Sequence, residues 1–220
     1  LETFQLSVRI PVEIRRVLTP SVHTWRLRVM TSTGTSEYSV DMAYWGIGVH
    51  DVAVTSVKPA KVIVGQTYTC TINVTVTNEG NITKTFNLTL YAQTMPPPNI
   101  VETITVSNLI GGESRTISFS WNTMGWSKLN CTIIAYAWRV RGETDIADNT
   151  LSDGLVLVTI PGDITGDIWC DMQDISILSD KFLTFPSHPR WNPNCDINND
   201  NSIDIADISI AIDNFMKEDP

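Results

Sequence analysis

Residues 67–76 read TYTCTINVTV, and the alternation in that run decides the fold. Tyr68, Cys70, Ile72, Val74 and Val76 are apolar, while the residues between them are Thr and Asn. A period of two places one set on a buried face of a β-strand and the other toward solvent. Farther out, LNCTIIAYAW at 129–138 sets Leu129, Cys131, Ile133 and Ala135 on an inward face, and Phe86, Leu88 and Leu90 share another. Turn signals punctuate these runs at Asn78-Glu79-Gly80-Asn81, Gly111-Gly112 and Arg141-Gly142. Residues 49–160 therefore predict a β-sandwich, and the chain is expected to be mainly β.

The chain has 220 residues, a net charge of -9 and 42% hydrophobic residues, ordinary values for a globular protein. Its acidic balance gives no electrostatic basis for holding phosphate backbones, which excludes nucleic acid as a partner. No apolar run approaches the roughly 18 residues of a membrane span. The chain opens at Leu1 without Met or a signal-like run, and so reads as a mature or trimmed product. Cys70, Cys131, Cys170 and Cys195 form no C-x-x-C pair and have no histidine placed for a zinc site, so disulfides are the expectation. Sequons at Asn73, Asn81, Asn87 and Asn130 fall on outward strand positions or in a turn, which suits N-linked glycans. Both features point to an extracellular or cell-surface protein.

Residues 1–48 form a separate segment of N-terminal β-strands. FQLSVRIPVEI at 4–14 puts Phe4, Leu6, Val8 and Ile10 on one face, and Pro11 confines the strand to an edge or a bulge. Two further runs, TWRLRVMT and SEYSVDMAYW, complete a segment too short to cover its own apolar face. It is either the tail of an upstream β-domain or extra strands on the sandwich, or a strand donated to a neighbouring subunit, which would make the protein a filament component.

Residues 161–220 hold an internal repeat with a spacing of 33 residues: GDITGDIWCDMQDISILSDKF, then CDINNDNSIDIADISIAIDNF. Each copy sets oxygen-bearing side chains at loop positions 1, 3, 5, 9 and 12 with a backbone carbonyl at 7, the donor set of a hard cation that takes six to eight oxygens. Two Ca2+ sites are expected. The first comprises Asp163, Thr165, Asp167, the Trp169 carbonyl, Asp171 and Asp174; the second comprises Asp196, Asn198, Asp200, the Ser202 carbonyl, Asp204 and Asp207. Copy one has Thr165 at a position where Asn or Asp is usual and Ile168 where Gly eases the turn. The second site is therefore expected to bind more tightly. Beyond each loop, Ile175, Leu178 and Phe182, then Ile208, Ala211 and Phe215, recur at helical spacing and should pack together. A Cys170–Cys195 bridge would close a loop of about 25 residues and pin the two loops.

The run HDVAVTSVKPAKVIVGQTYTCTINVTVTNEGNITKTFNLTLYA, with TISFSWNT and IIAYAWRVRGETDIADNT, resembles the CARDB module, an immunoglobulin-like domain of archaeal and bacterial surface proteins. That resemblance implies a structural or adhesive spacer without a catalytic site. The paired core-facing cysteines are similar to the inter-sheet bridge of immunoglobulin-like sandwiches, which implies Cys70–Cys131, with buried free thiols as the alternative. Loop followed by helix, without a preceding helix, is similar to a type I dockerin-like repeat pair, and PRWNPNCDIN looks like its archaeal form. The implied fold class is an immunoglobulin-like β-sandwich with additional N-terminal strands and a small C-terminal α-helical dockerin-like domain.

His23, His50 and His188 are scattered and the aspartates are committed to metal, so no enzyme is expected, unless a catalytic domain upstream has been trimmed away. Two binding roles remain. A dockerin-like module implies docking onto a cohesin-type domain through Met172, Gln173, Ile205 and Ala206. The same residues suit contacts within a surface assembly of identical subunits, in which calcium stiffens a joint and the strand from Phe4 enters the next subunit.

Overall fold

The computed structural model describes residues 21–31, 34–44, 48–95 and 98–217, in two compact units that divide after Val49. In the first unit β1 (Ser21–Thr31) and β2 (Gly34–Tyr44) pair antiparallel, from Ser21 opposite Tyr44 to Thr31 opposite Gly34. They coincide with the two later runs expected to be strands. Phe4, Leu6, Val8 and Ile10 lie outside the described residues.

The second unit holds β3 (Ala53–Pro59), β4 (Ile63–Gly65), β5 (Thr69–Thr77), β6 (Lys84–Gln93), β7 (Asn99–Leu109), β8 (Ser114–Asn122), β9 (Asn130–Ala137) and β10 (Thr150–Thr159). They form a three-stranded sheet ordered β3-β5-β8 and a five-stranded sheet ordered β4-β10-β9-β6-β7. All of these pairings are antiparallel except β4 with β10. The alternation in β5 is the reason for the arrangement: Cys70, Ile72, Val74 and Val76 are buried, with Cys70 opposite Trp121 and Ile72 opposite Phe119 on β8. On the outer face, cross-strand polar pairs run in a ladder: Thr75 with Thr116 at 2.9 Å, Thr77 with Ser114 at 2.8 Å and Asn73 with Ser118 at 2.7 Å. Leu88, Leu90, Cys131, Ile133, Ala135, Val156 and Val158 supply the core from the other sheet. Leu129, expected inward, precedes β9 and is exposed.

Buried polar side chains tie the chain's distant turns to the start of β3. Glu143 accepts from Val52 N and Val140 N, and Asn149 Nδ2 donates to Val52 O and to Glu143 Oε1. Asn78 pins its own turn by donating to the Ile82 and Leu109 carbonyls while its Oδ1 accepts from Gly80 N. Each satisfied group spares the interior an orphaned backbone donor or acceptor.

The repeat folds as two loops, each leading into a short helix: α1 (Met172–Lys181) and α2 (Ile205–Asp213), with a 3-10 turn at Pro193–Cys195 before the second loop. Leu178 and Ala211 are buried in a second core with Ile164, Cys170, Cys195, Ile197 and Ile203, and Ile175 and Ile208 pack against it. Phe182 departs from the expected face. The helix stops at Lys181, Phe182 takes extended backbone at its C-cap, and its ring is exposed.

The cysteines require a correction. All four are free, buried thiols, and neither Cys70–Cys131 nor Cys170–Cys195 is bonded. Cys70 Sγ lies 3.5 Å from the Lys61 carbonyl, Cys131 Sγ 3.6 Å from the Leu129 carbonyl, and Cys170 Sγ 3.3 Å from the Ala211 carbonyl. Cys70 and Cys131 belong to different sheets, and facing sheets stand about 10 Å apart, so two inward cysteines meet only where their strands approach more closely than usual. Burial pushes the thiols up, to about 11 for Cys131 and about 12 for Cys170 and Cys195, which leaves them protonated and inert at neutral pH.

Candidate metal centre

The two loops repeat in backbone as well as in sequence. Position 4 is left-handed in both, Gly166 at φ 79° and Asn199 at φ 62°, and so is position 6, Ile168 at φ 73° and Asn201 at φ 66°. Left-handed backbone turns successive amides inward, toward the carboxylate at position 1. In loop 1 Asp163 Oδ1 accepts from Gly166 N at 2.6 Å and Asp167 N at 3.3 Å, and Oδ2 from Ile168 N at 3.0 Å. In loop 2 Asp196 Oδ1 accepts from Asp200 N at 3.1 Å and Oδ2 from Asn201 N at 3.1 Å.

Position 12 closes each loop. Asp174 Oδ1 accepts from Ile164 N and Thr165 N, and Asp207 Oδ1 from Ile197 N and Asn198 N. Their other oxygens accept from Asp171 N and Asp204 N, while Asp171 and Asp204 cap the helices through Gln173 N and Ala206 N. The aspartates at positions 9 and 12 thus build a capping box at the start of each helix, with an acidic side chain favourably placed in the first turn. Asp167 and Asp200 turn onto Trp169 N and Ser202 N. Burial raises the carboxyls of Asp163, Asp196 and Asp207 above the ordinary range.

The loops also pair crosswise. Cys170 exchanges backbone hydrogen bonds with Lys217 and Met216, beyond α2, and Ile203 with Thr184 and Leu183, beyond α1. Leu183 and Met216 are both left-handed, at φ 57° and 59°. Each loop is therefore braced by the residues that follow the other copy's helix, and one copy alone would lack its brace.

As a donor set the loops fit a hard divalent cation: carboxylates, one hydroxyl or amide oxygen, a carbonyl and no sulfur or nitrogen ligand. Asp163, Asp174, Asp196 and Asp207 are buried, Asp171 and Asp204 half-buried, and Asp167 and Asp200 exposed. Among the described residues, three or more acidic, histidine or cysteine donors lie within 4.8 Å of one another at a different place, Asp51, Glu79 and Asp148. That trio gathers the start of β3, the turn after β5 and the residue before Asn149. Asp51 Oδ1 and Asp148 Oδ1 there are shielded and accept no hydrogen bond. Burial first, then neighbouring acids, hold both carboxyls above the ordinary range.

Of the sequon asparagines, Asn81 and Asn130 are exposed and Asn73 and Asn87 half-buried, with Asn73 accepting from Ser118 and Asn87 from Thr105. Met172, Gln173, Ile205 and Ala206 are all exposed at the helix starts. Three contributors to the loops escape sequence reading. Thr159 donates to Asp163 Oδ2 at 2.6 Å, Lys61 donates to the Asp196 carbonyl at 2.8 Å, and Asn199 Nδ2 reaches the Thr69 carbonyl and hydroxyl. Two of them join residues more than a hundred positions apart, for which a local motif carries no signal.

The CARDB family model matches residues 49–151, which covers the sandwich to the second residue of β10 and stops short of both loops. A CARDB domain is thereby supported for that segment. The CARDB domain of a Pyrococcus furiosus protein, solved in complex with di-metal ions, is similar over 50% of this chain and 89% of its own, at 21% identity and a TM-score of 0.40. A β-glucosidase from Erythrobacter marinus is similar over 50% of this chain at 12% identity and a TM-score of 0.41, and this chain spans 15% of it. A β-glucosidase from Listeria innocua is similar over 55% at 12% identity and a TM-score of 0.36, with 17% of its length spanned. No curated protein matches.

Proposed function

We propose that this chain is a non-catalytic, extracellular structural or adhesive protein, in which two calcium ions lock a dockerin-like loop pair against a CARDB sandwich for assembly with other proteins. The observation that carries the reading is the repeat of one loop geometry in two copies: the position-1 carboxylate accepts from the amides at 5 and 6, the position-12 carboxylate from those at 2 and 3, and positions 4 and 6 are left-handed in both. Calcium bound only by the folded chain would stabilise it by about 2.7 kcal/mol at a hundred times the dissociation constant. Exposed Asn81 and Asn130 suit glycans on a surface protein. The N-terminal strand starting at Phe4 would enter a neighbouring subunit.

A second reading draws on the exposure of Met172 at 66% and Ile205 at 65%: those side chains, with Gln173 and Ala206, would form the face that meets a cohesin-type partner. Electron microscopy of the purified chain in calcium and in chelator separates the two. Ordered assemblies in calcium that dissolve in chelator support self-assembly. Monodisperse particles under both conditions overturn it and leave the docking role, tested by retention on an immobilised cohesin domain.

A further inference from the structure

Loop 2 is attached to the sandwich by side chains from both sides. Lys61, 4% exposed, sends its ammonium to the carbonyls of Asp196 at 2.8 Å and Ile197 at 3.4 Å. Asn194, just before the loop, accepts through Oδ1 from Val62 N at 3.1 Å and Ile63 N at 3.3 Å. Asn199 donates to Thr69 O at 2.5 Å and Thr69 Oγ1 at 2.6 Å, at the first residue of β5. Tyr68 packs against both hydrophobic cores. These contacts converge on residues 61–69, which run from the edge strand β4 into β5.

Asn199 has no counterpart in the first copy. Position 4 there is Gly166, which has no side-chain amide and where a Cβ would come within 3.1 Å of Ile63 and Leu157. A left-handed position accepts Gly most readily, and Asn at some conformational cost, so an Asn placed there has to be accounted for by what its side chain does. Here it does one thing, which is to hold Thr69. Its side chain is not among the loop's expected ligands, so replacing it removes the tie to Thr69 without removing a ligand.

We infer that the sandwich forms part of the second loop, and that Asn199 and Lys61 couple cation occupancy of that loop to the order of the sandwich edge at residues 60–72. The inference rests on the calcium reading above. A cation that fixes the loop fixes the Asp196 and Ile197 carbonyls and the Asn199 backbone, and through them the β4 edge. By linkage the coupling runs both ways, so an ordered edge tightens the loop's hold on the cation. The module would then be a stiff extension of the sandwich and not a tethered tag.

The test is amide hydrogen exchange on the full chain, with calcium chloride or chelator, alongside calorimetric titration of the same samples. Calcium is expected to slow exchange over residues 60–72 by about threefold or more, with little change in β7 at the opposite edge of the five-stranded sheet. Asn199→Gly is expected to keep the stoichiometry, lose at least half of that slowing and weaken the second site by roughly three- to tenfold. Lys61→Met should lose part of the slowing as well. If two ions bind to the wild type and exchange over 60–72 does not change, the coupling is wrong and the calcium reading stands. If calcium does not bind at all, both fall.

Discussion

At the scale of single residues, the two loops differ most at position 6. Ile168 is a β-branched residue at φ 73°, where such side chains are strained, and it is 45% exposed, so little packing offsets the strain. Ile168→Asn, which copies Asn201, is predicted to stabilise the first loop by about 1 kcal/mol and to raise its calcium affinity several-fold in a titration. An unchanged or weaker site would show that the strain does not matter. Asp148 offers a test by pH. Its carboxyl and that of Asp51 are raised in the folded state from the ordinary 3.8, mainly by burial. The folded chain then holds protons that the unfolded chain has released, so these groups make stability fall as pH rises from about 4 through the raised values. Asp148→Asn is predicted to flatten that fall and to raise the melting temperature at pH 7 in chelator, and a lower melting temperature would contradict it. The repeated aspartates were legible in the sequence because spacing alone defines them. The state of the sulfurs was not. A period-two pattern tells which cysteines point inward, but a bridge needs two sulfurs within bonding distance, and each of Cys70, Cys131 and Cys170 is turned onto a carbonyl.

At the scale of elements, the strands follow the alternation closely because each buries one face and pairs the other in polar ladders. Both helices begin where position 12 places an aspartate in their first turn, so loop and cap are one device and the helix starts were readable. Their ends were less so: Phe182 continues the apolar spacing but lies past the last helical turn. Leu178, fully buried between the copies, is the residue on which α1 depends. Leu178→Ala is predicted to cost about 2–5 kcal/mol in denaturant unfolding, whereas Met172→Ser on the exposed face should change stability by about 0.5 kcal/mol or less. Similar costs for the two would mean that the helices do not pack as described.

For the whole molecule, the sequence divides naturally at about residue 160, yet the described chain from His50 onward is one compact unit. The reason is invisible to local patterns, since Lys61 meets Asp196 and Thr69 meets Asn199 across the full width of the sandwich sequence. Calcium is accordingly predicted to raise the melting temperature of the sandwich as well as of the loops, by roughly 2–4 °C for each kcal/mol of binding free energy. The most direct test of the account is calorimetric titration of chelator-treated chain with calcium, repeated on Asp163→Ala and Asp196→Ala. Two ions are predicted to bind the wild type, the tighter lost with Asp196→Ala and the weaker with Asp163→Ala. No binding, or binding that both variants retain and Asp148→Asn removes, would contradict it by taking the cation away from the paired loops.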